Sequence, residues 1–556
     1  MSALTGIGQA VSVATQAPTA QSRSNSTSST AITEGRTALG VELGSTRIKA
    51  VLIGPDHEVL AAGSHSWENQ LVERVWTYAE DDVWSGLQGA YAALAADVRE
   101  RHGVELERVG GLGVSAMMHG YVALDAGGEL LVPFRTWRNT STGEAVDRLS
   151  GPLDFNVPHR WSIAHLFQAV LDGEEHLPRL STATTLAGWV HHRLTGEHVL
   201  GVGDASGVFP IDSSTGTYDA ARLATTQRLL AEEGFTTPLE QVLPRVASAG
   251  EAAGSLTPEG AALLDPSGRL QPGAPVCPPE GDAGTGMVAT GSVAPRTGNV
   301  SAGTSIFAMV VLEGPLSQVH RELDLVTTPA GDPVAMVHCN NGASELNAWA
   351  GLFKEFAAAV GAPADDATVF GALFRASLEG AADGGGMLAY NYLSGEPITE
   401  LEEGRPLFLR TPGSPFDLAT FMRTQIYAAF ATLRIGMDVL SAEGVRLDGM
   451  FAHGGVFATP GVAQRHLAAA IDSPVSVGDV AAEGGAWGIA VLAAFAAGTG
   501  GRAEGQSLAG YLAHRVFDGV ELTTVSPQAD DVAGFAAYLQ RYVAALPVER
   551  AAVEHA

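Results

Sequence analysis

From Leu39 onward the chain alternates short apolar runs with longer segments that carry an apolar residue every three to four positions. Residues 38–43 and 47–52 are apolar runs separated by Gly44-Ser45-Thr46, a pattern that predicts two strands joined by a tight turn. The meander continues over 51–66, with turns at Gly54-Pro55-Asp56 and Ala62-Gly63. Val83, Trp84, Leu87, Tyr91, Leu94 and Val98 recur at helical spacing and predict a helix over 81–102. Residues 109–114 read as a buried strand that runs into a polar loop containing Met118-His119-Gly120. Residues 122–130 read as strand, turn, strand; 160–200 as mainly helical; 201–214 as a loop; 219–246 as further helices. Strand-then-loop units of this kind put polar side chains at the carboxyl ends of strands, where sites in α/β folds lie.

A second half begins near residue 295 and repeats the opening logic. Residues 298–302 and 306–311 flank Gly303-Thr304-Ser305 as a second predicted hairpin. A long helix over 416–443 presents Ile426, Ala429, Leu433, Met437 and Leu440, and a strand then leads into Gly454-Gly455. Residues 483–492 are a glycine-rich loop, including Gly485, that opens an apolar helix. A Gly-Ser-Thr turn exposes backbone N–H groups and hydroxyls, which suits a phosphate. Two such turns facing one cleft would hold a nucleotide from both sides. Glu42, just before the first turn, is placed to bind a phosphate-associated Mg²⁺ through water.

Composition narrows the picture. A chain of 556 residues has room for two or more domains. Its net charge of −29 sets up a field that repels nucleic acid and anionic lipid, so an anionic ligand must be held by local donors. Cys277 and Cys339 lack any CxxC spacing, which points to a reducing compartment without a structural zinc. Residues 1–36, rich in Ser, Thr, Gln and Ala, read as a disordered tail and lack the pattern of a signal peptide. No transmembrane span is expected, and the expected location is the cytoplasm.

Taken in order, Leu43-Gly44-Ser45-Thr46, Met118-His119-Gly120, Trp137-Arg138-Asn139, Gly281-Asp282, Gly303-Thr304-Ser305 and Gly454-Gly455 resemble the FGGY carbohydrate kinases over residues 38–547. Xylulokinases look closest in motif layout, with L-ribulokinases a near rival. The resemblance implies two RNase H-like α/β domains of the actin/hexokinase type around a cleft: a sugar-binding domain over 37–294 and an ATP-binding domain over 295–547, with a short tail over 548–556. It implies Asp282 as the catalytic base, and Met118, His119, Gly120, Trp137, Arg138 and Asn139 as the sugar site. Gly44, Ser45, Thr46, Gly303, Thr304 and Ser305 would hold the phosphates. Gly454 and Gly455 would hold adenosine, with Gly485 closing the same pocket. ATP and Mg²⁺ are the implied cofactors, the ion held by Glu42 and Asp282 through water. A small-molecule sugar is the implied partner, and a homodimer is left open.

Several positions depart from the family pattern. Glu42 stands where Asp is usual, Ala283 where many relatives carry an amide, and His165 where Lys is favoured. Gly404-Arg405-Pro406-Leu407-Phe408 fits the second family signature only loosely, and Asn340-Asn341 and Glu345 add polar groups near the expected cleft. The leading expectation is ATP-dependent phosphorylation of a ketopentose, D-xylulose or L-ribulose. The alternative is a non-catalytic ATP-binding switch on the same fold.

Overall fold

The computed structural model describes residues 20–478 and 484–555. Its first lobe is built on a five-stranded sheet in the order Glu280–Gly281, Gly111–Ala116, Ala38–Leu43, Arg47–Ile53, Val59–Ser66. The last three strands form an antiparallel meander and the first three run parallel. The second lobe repeats that order, counted from the same edge, in Val475–Val477, Gly449–His453, Thr297–Ala302, Ile306–Val311 and Pro333–Cys339, with the parallel and antiparallel pairs in matching places. Leu323–Thr327 and Thr523–Val525 extend this second sheet at its two edges. The repeat read from the two hairpins is therefore a repeat of whole sheets.

Both lobes carry their own apolar core. The central strands Ala38–Leu43 and Gly111–Ala116 are buried along almost their whole length because helices cover both faces of the sheet. Helix Glu80–His102 lies against the meander, and Gly63 admits it: a Cβ there would sit 2.2 Å from the N atom of Leu94. Helix Gly484–Ala497 crosses the strands of the first sheet at equally close range, since a Cβ on Gly40 would meet the Ala486 carbonyl at 2.1 Å.

That second contact carries the late part of the chain back onto the first sheet. Residues 484–517 follow the second sheet in sequence, yet Trp487, Ile489, Val491, Phe495 and Tyr511 pack into a core shared with Val51 and Met118 of the first lobe. The chain rejoins the second sheet at Thr523–Val525. At the two ends, the described parts of the expected tails are mainly helical. Residues 20–33 form a helix with Ala31 and Ile32 buried, rather than a disordered tail. Residues 546–555 form a helix whose buried Glu549 accepts the N–H of Arg405 at 2.7 Å. The rest of the expected tail, residues 1–19, and Glu483 lie outside the described residues. Among the described residues no helix is long and apolar enough to cross a membrane.

Candidate active site

The two Gly-hydroxyl turns occupy equivalent places in the two sheets, and both treat their backbone alike. In the first, the Gly44 carbonyl accepts Trp67 Nε1–H at 2.7 Å, the Ser45 carbonyl accepts the Tyr78 hydroxyl at 2.6 Å, and the Thr46 carbonyl accepts the Trp67 N–H at 3.3 Å. In the second, the Gly303 and Thr304 carbonyls accept the N–H groups of Ala343 and Gly342, each at 2.8 Å, and the Ser305 carbonyl accepts the Gly303 N–H at 2.9 Å. Every tip carbonyl is thus tied back into protein. The N–H groups of Ser45, Thr46, Thr304 and Ser305 make no hydrogen bond among the described residues. A turn with spent acceptors and idle donors has the polarity that suits an anion.

Asp282 is the first residue of helix Asp282–Ala289, directly after the edge strand Glu280–Gly281, and it is solvent-accessible. The Met118 N–H donates to its Oδ1 at 3.2 Å. Protein crowds the carboxyl on the sides away from solvent, and this desolvation pushes its pKa above the ordinary carboxylate value. The position at a helix N-terminus acts the other way and favours the anion.

Two further carboxyls lie behind it. Asp204 is wholly buried, accepts the Thr185 hydroxyl at 2.6 Å through Oδ2, and has its pKa raised to about 7 by burial and by the nearby Asp282 charge. Glu280 is buried too, accepts the N–H groups of Asp204 and Gly203 at 2.9 and 3.3 Å, and has its pKa pushed well up by the same desolvation. The sequence reading missed both. The acidic Glu280-Gly281-Asp282 triplet was the available signal.

Residues 37–288 match the N-terminal domain, and residues 298–497 the C-terminal domain, of the FGGY family of carbohydrate kinases. The chain belongs to this family. The xylulose kinase of Klebsiella pneumoniae is 25% identical over 296 residues, which cover 50% of this chain and 55% of that protein. The chain thus spans about half the length of the curated relatives it matches. Among solved structures, the xylulose kinase of Rhodospirillum rubrum superposes with a TM-score of 0.73 at 20% identity, covering 92% of this chain and 98% of that one. The gluconate kinase of Lactobacillus acidophilus superposes with a TM-score of 0.75 at 16% identity, covering 92% of this chain and 98% of that one. These likenesses establish the two-domain FGGY kinase fold.

Within this FGGY site the expected residues divide. Gly303, Thr304 and Gly455 come together in one cavity of about 320 Å³, with Leu346, Phe370 and Phe374 as apolar walls. Gly454 has φ +108°, and a Cβ there would lie 2.2 Å from the Ala302 carbonyl, so this position requires glycine to let the strand end approach the hairpin. Gly485 is elsewhere: it does not line that cavity and abuts Glu42, whose Oε1 would be 2.3 Å from a Cβ on it. Its expected role in closing the adenosine pocket is corrected on that ground. Glu42 accepts the Ala486 N–H at 3.2 Å and so also caps helix Gly484–Ala497.

On the sugar side, His119 has φ +70°, is buried, and approaches the Gly207 carbonyl at 3.4 Å. Burial first, and the Arg160 charge second, hold its pKa well below the ordinary value, so the ring is neutral. Gly120 has both backbone groups engaged, its N–H by the Arg160 carbonyl and its carbonyl by the Ser162 hydroxyl. Trp137 is half-buried, and Arg138 lies over its ring at 5.2 Å and over Trp76 at 5.4 Å.

Asn139 is corrected from sugar contact to scaffold. It is buried, its Oδ1 accepts the Trp76 N–H at 2.9 Å, and its Nδ2 donates to the Trp76 and Thr136 carbonyls. His165 is fully buried and stacked on Tyr121, with its pKa lowered to about 3 by desolvation. An uncharged imidazole therefore occupies the place where the family favours an ammonium. Asn341 binds the loop 393–396 through the Leu393 and Ser394 N–H groups and the buried Glu396, so it supports the second turn from behind.

Proposed function

We propose that this FGGY kinase transfers the γ-phosphoryl group of ATP to a hydroxyl of a small sugar, with a ketopentose such as D-xylulose or L-ribulose as the preferred acceptor, in the cytoplasm. The observation that carries the reading is the pair of turns with spent carbonyls and idle N–H donors, one on each lobe, together with the raised carboxyl of Asp282. Phosphoryl transfer asks for positioning, charge stabilisation and a base. The Ser45, Thr46, Thr304 and Ser305 N–H groups supply donors for charge on the phosphate oxygens. Asp282 takes the proton of the attacking hydroxyl, and its raised pKa brings it nearer to the working pH of a general base. The Nδ1 side of neutral His119 faces the Gly207 carbonyl, which leaves Nε2 to accept from a second hydroxyl.

The carboxylates of Glu42 and Asp282 are hard oxygen donors at the carboxyl ends of strands on either side of Gly111–Ala116, a set that suits a hydrated Mg²⁺. Such an ion, when bound, would offset negative charge on the nucleotide's phosphates. Ala283 brings no amide to the sugar, so acceptor choice rests on His119, Trp137 and Arg138. The test is a panel of ketopentoses, hexuloses, tetruloses and polyols with purified protein, scored by ADP release, with the phosphate position of each product determined. ATP binding without turnover on any acceptor overturns the kinase reading and favours the ATP-binding switch.

A further inference from the structure

The two phosphate turns are tied back by different means. In the second, backbone N–H groups hold the tip carbonyls; in the first, two of the three are held by side chains, the indole of Trp67 and the hydroxyl of Tyr78. The two rings stack on each other with centroids 4.0 Å apart and planes 25° apart, and both residues are buried. A peptide unit is planar, so its N–H points opposite to its C=O. Holding the Gly44 carbonyl inward therefore turns the Ser45 N–H outward. Holding the Ser45 carbonyl does the same for the Thr46 N–H. The stack also sits at the root of the small hairpin Gln70–Val72 and Val75–Thr77. Trp76 of that hairpin is gripped by Asn139 and Thr136 of the sugar-side loop.

We propose that Trp67 and Tyr78 are positioning residues that aim the first turn's N–H groups at the nucleotide's phosphate tail, and that the 67–78 segment ties this turn to the sugar-side loop. The inference rests on the phosphoryl-transfer reading above. Neither residue touches substrate; both act through the peptide planes of residues 44–46.

Tyr78→Phe removes one hydroxyl and keeps the stacked ring, and Trp67→Phe removes the indole donor. The probes are a non-hydrolysable ATP analogue and adenosine, measured by titration calorimetry without sugar. Each variant should weaken the analogue about tenfold, leave adenosine within twofold, and lower kcat with a smaller change in the sugar KM. A Tyr78→Phe protein that binds the analogue as tightly as the unsubstituted protein overturns the proposal, and so does a parallel loss of adenosine binding. Should Trp67→Phe fail to fold, Tyr78→Phe alone decides. No analogue binding by the unsubstituted protein overturns the phosphoryl-transfer reading and the brace together, whereas normal binding there with no change in Tyr78→Phe overturns the brace alone.

Discussion

The N–H of Met118 donates to Oδ1 of Asp282 at 3.2 Å, joining the end of strand Gly111–Ala116 to the first turn of the Asp282 helix. One carboxylate oxygen is thereby held, and the loop that carries His119 is set in register with the base. Asn at position 282 keeps an acceptor for Met118 and loses the base. Asp282→Asn should lower kcat by about 10²–10⁴-fold, the usual share of a general base, while the protein stays folded and still binds ATP. A variant that retains more than a tenth of the activity would remove Asp282 from the mechanism.

The acid limb of the pH–rate profile should follow the same carboxyl. Desolvation raises the Asp282 pKa above its ordinary 3.8, and the base works only when ionised. Log kcat/KM should therefore fall with decreasing pH around a midpoint above 3.8, and the limb should vanish in Asp282→Asn. His119 is held neutral by burial and adds no limb near its ordinary 6.5. A limb at that value which disappears in His119→Asn would reverse the assignment.

Asp204 makes a prediction about stability. Its folded pKa of about 7 lies above the ordinary 3.8 of the unfolded chain. Below about pH 4 both states carry the proton, and the group's contribution to stability is fully present. Between the two values the unfolded chain ionises while the folded one does not, so stability falls by about 1.4 kcal/mol per pH unit. Asp204→Asn removes that slope. Its melting temperature should exceed that of the unsubstituted protein at pH 8, and the gap should close as the pH approaches 4. A gap of constant size across this range would show that Asp204 is not the titrating group.

Asn139 separates scaffold from substrate contact. Its buried amide makes three hydrogen bonds to backbone atoms of Trp76 and Thr136. Leaving such partners unsatisfied costs on the order of 1–3 kcal/mol each. Asn139→Ala should destabilise the fold by at least about 2 kcal/mol in urea denaturation. Undiminished stability with a raised sugar KM would return Asn139 to the sugar site.

The hairpins could be read from sequence because they are local: two apolar runs and a Gly-hydroxyl turn need no information from elsewhere. The order of motifs also carried Asp282 to a strand end. The placement of Gly485 could not be read this way. A glycine-rich loop opening an apolar helix fits an adenosine pocket and a helix–sheet contact equally well. What decides is a long-range contact, Gly40 against Ala486, across more than four hundred residues of chain. Asn139 failed for a related reason. Its donors and acceptors match a sugar's, and its partner Trp76 belongs to a different element. The Trp67 and Tyr78 brace has no motif at all, since it acts through side chains just past the ends of two strands that belong to different sheets.

The seam between the lobes gives the last prediction. Strand Leu323–Thr327 of the second lobe is stitched to the first: the Thr327 N–H donates to Ser206 Oγ at 3.0 Å, its hydroxyl donates to the Val202 carbonyl at 2.9 Å, and Asn156 donates to the Leu323 carbonyl at 3.0 Å. Arg160 pairs with Asp324 beside them. On the phosphoryl-transfer reading both turns meet one phosphate tail, and rotation about this stitched edge would bring them together, with water leaving the cleft. In the Asp282→Asn protein, which holds both substrates without consuming them, sugar and ATP together should reduce the radius of gyration in solution scattering. Either ligand alone should reduce it less, because each lobe then closes on half of its contacts. Dimensions unchanged at saturation with both would mean that the lobes do not move and that transfer occurs in the arrangement described.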